Sequence, residues 1–501
     1  MYLKPYKTNV KMRRLLLLLT IIATCCMPLL LKAQVTARVE ISRDADTDEG
    51  RFVPIGEKGV LRYSFLKKKE KGKNVYKIMH FDTDLKLVHA DSVIVERNMS
   101  LDDTISHSGV YYSILRDNRD NFTLVGYNPT TNAVKTVSGK FRKKASMRNL
   151  VMDGSHLVFS STEKKLDRLG IIDLSTGQCR YTDMHFKDIR DQYIYILDNV
   201  IIDGKIHALV RIGGDVVLMM LDFDGNFVGQ PAILTANLTD HHILTASLSK
   251  AGGHYFVTGT YTDKERGDAT KIANGIYFGQ LNGKAFTFIK FYNFYDLKNF
   301  TQFMSEKGKE KVERNKEKAE KKGKTFNQEY CIASHDIVEQ DGDYYYLGEA
   351  YYPLYIGMGG PMGYTRTFEG FVYTHAFIVK FDKQGDVLWD NCVPLNPKSR
   401  PHYVKHFVNA LYTSNQVDVL YVDDKKVISK TFDASTGDVV KERSEETLQT
   451  ADQAEKVNKS RSADAEYWYG NNFLIFGEQQ VKNDAEKKRR YVYFMNKLTI
   501  K

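Results

Sequence analysis

Tryptophan, proline and cysteine are scarce in this chain of 501 residues, at two, ten and five. Two of the cysteines, Cys25 and Cys26, fall in an N-terminal apolar run, which leaves Cys179, Cys331 and Cys392 for the body. Three widely spaced cysteines are no disulfide framework: one pair and a leftover thiol at most. A chain of this length builds its core without one. After the N-terminal run, no apolar stretch approaches the roughly 20 residues a membrane-spanning helix needs. No Gly-x-Ser-x-Gly elbow is present, and no cysteine has the surroundings of a catalytic thiol. The glycine-rich run from Gly357 to Gly363 lacks the Lys-Ser/Thr ending of a P-loop.

The apparent basicity is also largely absent from the body. From Met12 the chain reads Met-Arg-Arg, then an apolar run from Leu15 to Leu31, then Lys32-Ala33-Gln34. That is a basic start, an apolar centre and a small residue at a cleavage site, so residues 1–34 read as a signal peptide with Met12 the better initiator. A competing reading takes Ile22-Ala-Thr-Cys25 as a lipobox with Cys25 lipidated, although Thr24 fits that pattern poorly. Residues 1–34 hold six Lys or Arg and no acid, so the formal charge falls from +10 to +4 without them. Export and a charge of +4 both argue against a nucleic-acid partner.

What the body has is a repeat. Apolar strand-like runs end in Asp- or Asn-led turns beginning at Asp82, Asn128, Asp173, Asp222, Asn282, Asp382, Asp433 and Asn496. The first four are 45 to 50 residues apart, the length of one β-propeller blade. Asp153-Gly154, Asp203-Gly204 and Asp341-Gly342 precede further strand-like runs and mark tight hairpins. The expected fold is therefore all-β: residues 35–501 form one propeller of eight antiparallel blades, with seven as the alternative. The repeats are placed at 52–100, 101–145, 146–190, 191–240, 241–298, 330–400, 401–445 and 462–501. Val35 to Ser42 reads as a strand without a partner, suited to completing the last blade and closing the ring.

Two insertions, near 299–329 and 351–371, break the period, and both are expected on one rim. Residues 304–325 are almost wholly charged, with Glu310/Arg314 and Glu317/Lys321 at i,i+4, and predict a solvated helix. Tyr351 to Phe371 predicts an extended hairpin or flexible loop. A third polar stretch, Glu442 to Ala465, reads as a helix or a loop.

Asp44, Asp46 and Asp48, followed by Gly50, place carboxylates at alternate positions on a turning loop that could hold Ca²⁺. Glu49 displaces the glycine from its EF-hand position and Ile55 stands where a bidentate Glu belongs, so the competing reading is an acidic linker. No other cofactor is expected. His402 and His406 have helical metal-ligand spacing, but Tyr403 to Tyr412 reads as strand and no Glu follows His402. His241 and His242 are adjacent and point to opposite faces of a strand. Tyr352, Tyr355, Tyr364 and Phe368 are the candidate ligand-binding residues, because exposed aromatic rings offer contact area at low entropic cost. Tyr344, Tyr345 and Tyr346 beside them suit packing between blades.

Phe381-Asp382-Lys-Gln-Gly385-Asp-Val-Leu-Trp389 resembles the Asp-x-x-Gly-x-x-x-Trp blade turn of quinoprotein-like propellers. The whole chain is similar to exported β-propellers of Gram-negative bacteria. The resemblance implies the fold; the recurrent Trp and the adjacent-Cys pair of quinoprotein dehydrogenases are missing from the body. The expected function is a non-enzymatic binding module for a protein or glycan at the cell envelope: periplasmic, outer-membrane-associated or secreted. The alternative is an exported hydrolase or lyase with its site in the central funnel. Inward-facing carboxylates or histidines clustered at one mouth of the channel would mark the enzyme.

Overall fold

A computed structural model describes residues 34–43, 48, 50–163, 166–184, 194–236, 238, 240–263, 272–323, 330–360, 363–452, 454–483, 485 and 487–500. Residues 1–33 of the expected leader therefore lie outside the described residues.

The tight turns form where their residues require them. Asp382 Oδ1 accepts the N–H groups of Gln384 and Asp386 at 2.9 and 2.8 Å, and Gly385 takes the positive φ of +79° that closes the turn. Asp82 holds Asp84 and Lys86 in the same way, both at 2.9 Å. Between such turns lie antiparallel meanders of four strands, eight among the described residues, numbered blades 1 to 8 in chain order. Blades 3 and 4 share one sheet through the single parallel pair Leu166 and Ile194. In blades 5 and 6 the first strand is interrupted, as at Cys331–Ser334 and Val338–Gln340. Blade 8 is completed by Gln34–Ser42, which pairs antiparallel with Lys488–Thr499 from Gln34 opposite Thr499 to Ser42 opposite Val492.

Apolar side chains alternate along the strands and fill the spaces between neighbouring blades. Eight clusters of buried residues occupy these spaces, one between each successive pair. The cluster of Phe52, Val60 and Phe81 with Trp468, Leu474 and Tyr493 joins blade 1 to blade 8. The ring is closed, and the protein is a β-propeller.

The blades are locked partly through the turns. Trp389 of blade 6 donates from Nε1 to the Ala434 carbonyl of blade 7 at 3.1 Å, and its ring lies against Gly437, where a Cβ would come within 2.7 Å. The Asp433 to Gly437 turn thus acts as a docking point for the preceding blade. Phe288 and Phe278 of blade 5 meet Gly385 of blade 6 similarly.

Since strands alternate in direction, connections between the first and second and between the third and fourth strands lie on one end of the ring, the turn face. The other connections form the loop face. Both insertions are on the loop face. Helix α1, Glu306–Glu320, buries no residue and is N-capped by Ser305, whose side chain accepts from Gly308 N. Its ion pair is Lys309 with Glu306 at 2.8 Å, rather than the expected i,i+4 pairs. Ahead of it, Phe294, Leu297 and Phe300 are buried on blade 6, so the start of this insertion is packed. The second insertion is an extension of the long hairpin Asp343–Gly360 and Gly363–Phe381. Glu442 to Ala465 is neither helix nor loop. It comprises the end of Val439–Thr447, a short connection and the first half of Glu455–Tyr469. Pairing with Asn472–Asn483, from Glu455 opposite Asn483 onward, satisfies its backbone and holds this polar segment extended.

Candidate site at the channel mouth

The first strands of the blades are innermost and line the central channel. Two recesses open beside it, sharing Asp464 as a wall.

The larger is a cleft of 690 Å³ on the loop face between blades 7, 8 and 1. Phe52, Phe407, Phe476 and Tyr493 contribute apolar surface, and charged pairs form the rim. Lys405 Nζ meets Asp464 at 2.7 Å, Lys398 Nζ meets Asp424 at 2.8 Å and Arg461 meets Glu478 at 3.5 Å. The hairpin extension stands at its edge. Phe371 N donates to the Pro401 carbonyl at 2.8 Å, which ties the hairpin to the 395–408 connection. Gly370, at φ +116°, lets the two backbones approach so closely that a Cβ would lie 2.6 Å from the Arg400 carbonyl oxygen.

The second recess, of 450 Å³, is formed by blades 6, 7 and 8 and includes His335, Asp336, His406, Asn409 and Glu466. Its architecture begins with Glu349, a fully buried carboxylate of blade 6. Glu349 accepts the N–H groups of Phe407 and Val408 from blade 7, each at 3.0 Å, and lies 2.8 Å from His335 Nε2. His335 donates from Nε2 to that carboxylate. The His406 ring stacks on His335 with centroids 3.9 Å apart. Burial, then the neighbouring His335, lower the pKa of His406. Glu466 faces channel water but is hemmed in by protein; that desolvation, reinforced by Asp464, pushes its carboxyl up to about 7.

The polar lining continues onto blades 4 and 5. Ser247 Oγ lies 3.2 Å from Asp336 Oδ1 and 3.4 Å from Asp198 Oδ2, while Asp198 Oδ2 also accepts from Leu248 N at 2.7 Å. Burial, with Asp336 adding to it, raises the Asp198 carboxyl to about 6. A neutral imidazole and a carboxyl that titrates near neutrality, in one recess, can accept and donate protons as well as bind.

The expected site residues are only partly brought together. Tyr352 and Tyr355 are 47% and 55% exposed on the hairpin. Phe368 is half-buried, 5.6 Å from Tyr355 and 5.7 Å from His402, ring to ring. The backbone of Tyr364 pairs with Gly359; its side chain lies outside the described residues. Tyr344, Tyr345 and Tyr346 are all buried. Asp44 and Asp46 also lie outside the described residues, while Asp48 Oδ1 accepts from Phe65 N at 2.8 Å and so ties its segment to blade 1. Among the described residues no group of three or more His, Cys, Asp or Glu converges as a metal site. His402 and His406 part company, one beside the hairpin and the other in the channel, because 395–408 is a connection and the strand is only Asn409–Tyr412. Cys179, Cys331 and Cys392 are all free thiols.

The channel residues were missed because they come from different blades. A signal did exist: Asp198 and Asp336 each stand five residues before the Asp of an Asp-Gly turn, at Asp203 and Asp341. That offset marks the inner strand in both blades.

No protein-family model and no curated protein matches the chain. Among solved structures it is similar to dihydro-heme d1 dehydrogenase NirN, at 12% identity over 92% of this chain and 79% of that one, TM-score 0.44. It is also similar to polysaccharide lyase Uly1, at 9% identity over 93% and 100%, TM-score 0.41. The Dos1 propeller gives 10% identity over 93% and 96%, TM-score 0.41. Likenesses of this order carry no residue or chemistry across, so the site stands on its own geometry.

Proposed function

We propose that this protein is an exported binding module of the cell envelope that takes a segment of a protein or glycan into the loop-face cleft. The observation that supports this reading most is the cleft itself. A volume of 690 Å³ is in the range of ligand sites, and its apolar surface, charged rim and flanking exposed rings suit a ligand with both apolar and polar faces. Release of a leader ending near Gln34 belongs to the same reading, and mass spectrometry of the exported protein tests it. Ligand capture is tested by isothermal titration with envelope polysaccharide and peptide fractions, comparing the unaltered protein with Ser462→Trp. Ser462 is an exposed lining residue, and the larger ring should block the cleft. Equal binding by both proteins would overturn the reading.

A second reading, an exported hydrolase or lyase, draws support from His335, His406 and Glu466 in the channel recess. Under it, bound polymer is cleaved and Glu466→Gln abolishes cleavage while leaving binding in place. Bound ligand recovered intact over many hours favours the module alone.

A further inference from the structure

The two ends of the ring differ in charge. Among the described residues, the connections of the turn face hold four Lys against 11 Asp or Glu, a net of −7. Those of the loop face hold 25 Lys or Arg against 14 Asp or Glu, a net of +11. Opposite charge is thus gathered at opposite ends of a chain whose body carries little net charge, and a field of that kind orients and concentrates an oppositely charged partner. The cleft opens on the cationic end. On the same end, blade 1 carries Lys67, Lys68, Lys69 and Lys71 on one exposed connection, and Arg400 stands exposed on the 395–408 connection that lines the cleft. None of these five makes a salt bridge among the described residues, in contrast to Lys398, Lys405 and Arg461 on the rim.

We infer that the ligand of the loop-face cleft is an acidic polysaccharide, drawn in by these unpaired cations; this rests on the binding reading above and names its ligand class. Three features select a glycan over other polyanions. The rim is built of acid–base pairs, so it presents donors and acceptors side by side, as hydroxyl groups need. Tyr403, 69% exposed at the cleft, and Tyr355 on the hairpin offer ring faces on which sugar rings stack. An anionic bilayer is excluded by shape, because a plane held off by the projecting hairpin does not reach a recessed cleft.

The test is titration of the purified protein with polygalacturonate, neutral dextran, polyglutamate and phosphatidylglycerol vesicles. Polygalacturonate should bind tightest and weaken by about tenfold or more between low and physiological salt. Replacing Lys67, Lys68, Lys69 and Lys71 with Gln should weaken it by roughly three- to tenfold with unchanged melting, since the four are exposed and unpaired. Ser462→Trp should weaken it more than about tenfold at every salt concentration, because it acts by steric exclusion rather than charge. Equal binding of vesicles or polyglutamate, or a quadruple variant that binds like the unaltered protein, overturns the inference. If dextran binds as tightly and Ser462→Trp abolishes it, the acidic class falls while the cleft reading stands. If Ser462→Trp changes nothing, the cleft reading itself falls.

Discussion

Carboxylates on the turn face and in the channel are pushed in opposite directions. On the turn face, Asp173 accepts from the hydroxyl and N–H of Ser175 and the N–H of Thr176, and these bonds lower its pKa to about 2. Asp222 and Asp433 are lowered by the backbone N–H groups of their own turns. In the channel, Asp198 is raised chiefly by burial and the more exposed Glu466 chiefly by partial desolvation. The same residue types therefore fasten the chain at one end and stay poised for proton exchange or ligand contact at the other. What separates them is whether the surroundings supply N–H donors or remove water.

The sharpest way to break the contrast is to open the ring that carries both faces. Deleting residues 34–42 removes the strand that completes blade 8 and exposes an edge of Lys488–Thr499, so cooperative unfolding should be lost, as monitored by calorimetry. Next comes Trp389→Ala, which empties the dock on the Ala434 to Gly437 turn. It should cost about 3–5 kcal/mol in urea denaturation, whereas Tyr355→Ala on the exposed hairpin should cost less than about 0.5 kcal/mol.

The pH dependence sharpens the comparison. A carboxyl raised in the folded state stabilises fully below its unfolded value and loses that contribution as pH rises through the folded value. Asp198 should thus cost the protein roughly 1–2 kcal/mol between pH 4 and 7 after allowance for its partial solvent contact, and Asp198→Asn should flatten that slope. The turn-face acids run the other way. Their contribution is present above about pH 4 and fades as pH falls toward 2, which Asp173→Asn should reveal as reduced sensitivity to acid. The smallest effect is expected for a Gly-Ser replacement of residues 306–322, less than about 1 kcal/mol, because exposed ion pairs on a helix contribute only tenths each.

The same division explains how much could be read from sequence. Asp-Gly and Asp-x-x-Gly turns are legible because a positive φ and a side-chain acceptor leave few residue choices, so the repeat and the ring follow from local signals. The free strand at Val35 to Ser42 was legible for a related reason, since an alternating segment without a partner needs an edge. The channel site was not. Glu349, His335, His406 and Glu466 come from three successive blades, and only the packing of those blades brings them together. Of the expected binding aromatics, Phe368 packs on His402 at the cleft and Tyr355 packs on Phe368, but the cleft's inner surface of Phe52, Phe407, Phe476 and Tyr493 reads in sequence like any other strand packing.

The pairing of Gln34 with Thr499 also sets a timetable. The first body strand to leave the ribosome cannot find its place until the last one has been made. Contacts of such sequence separation form slowly, since the whole intervening chain must be organised before they repay the entropy of joining the ends. Until then blade 8 lacks its outer strand and the final sheet stays open to other chains. Such a protein is assembled after synthesis rather than during it.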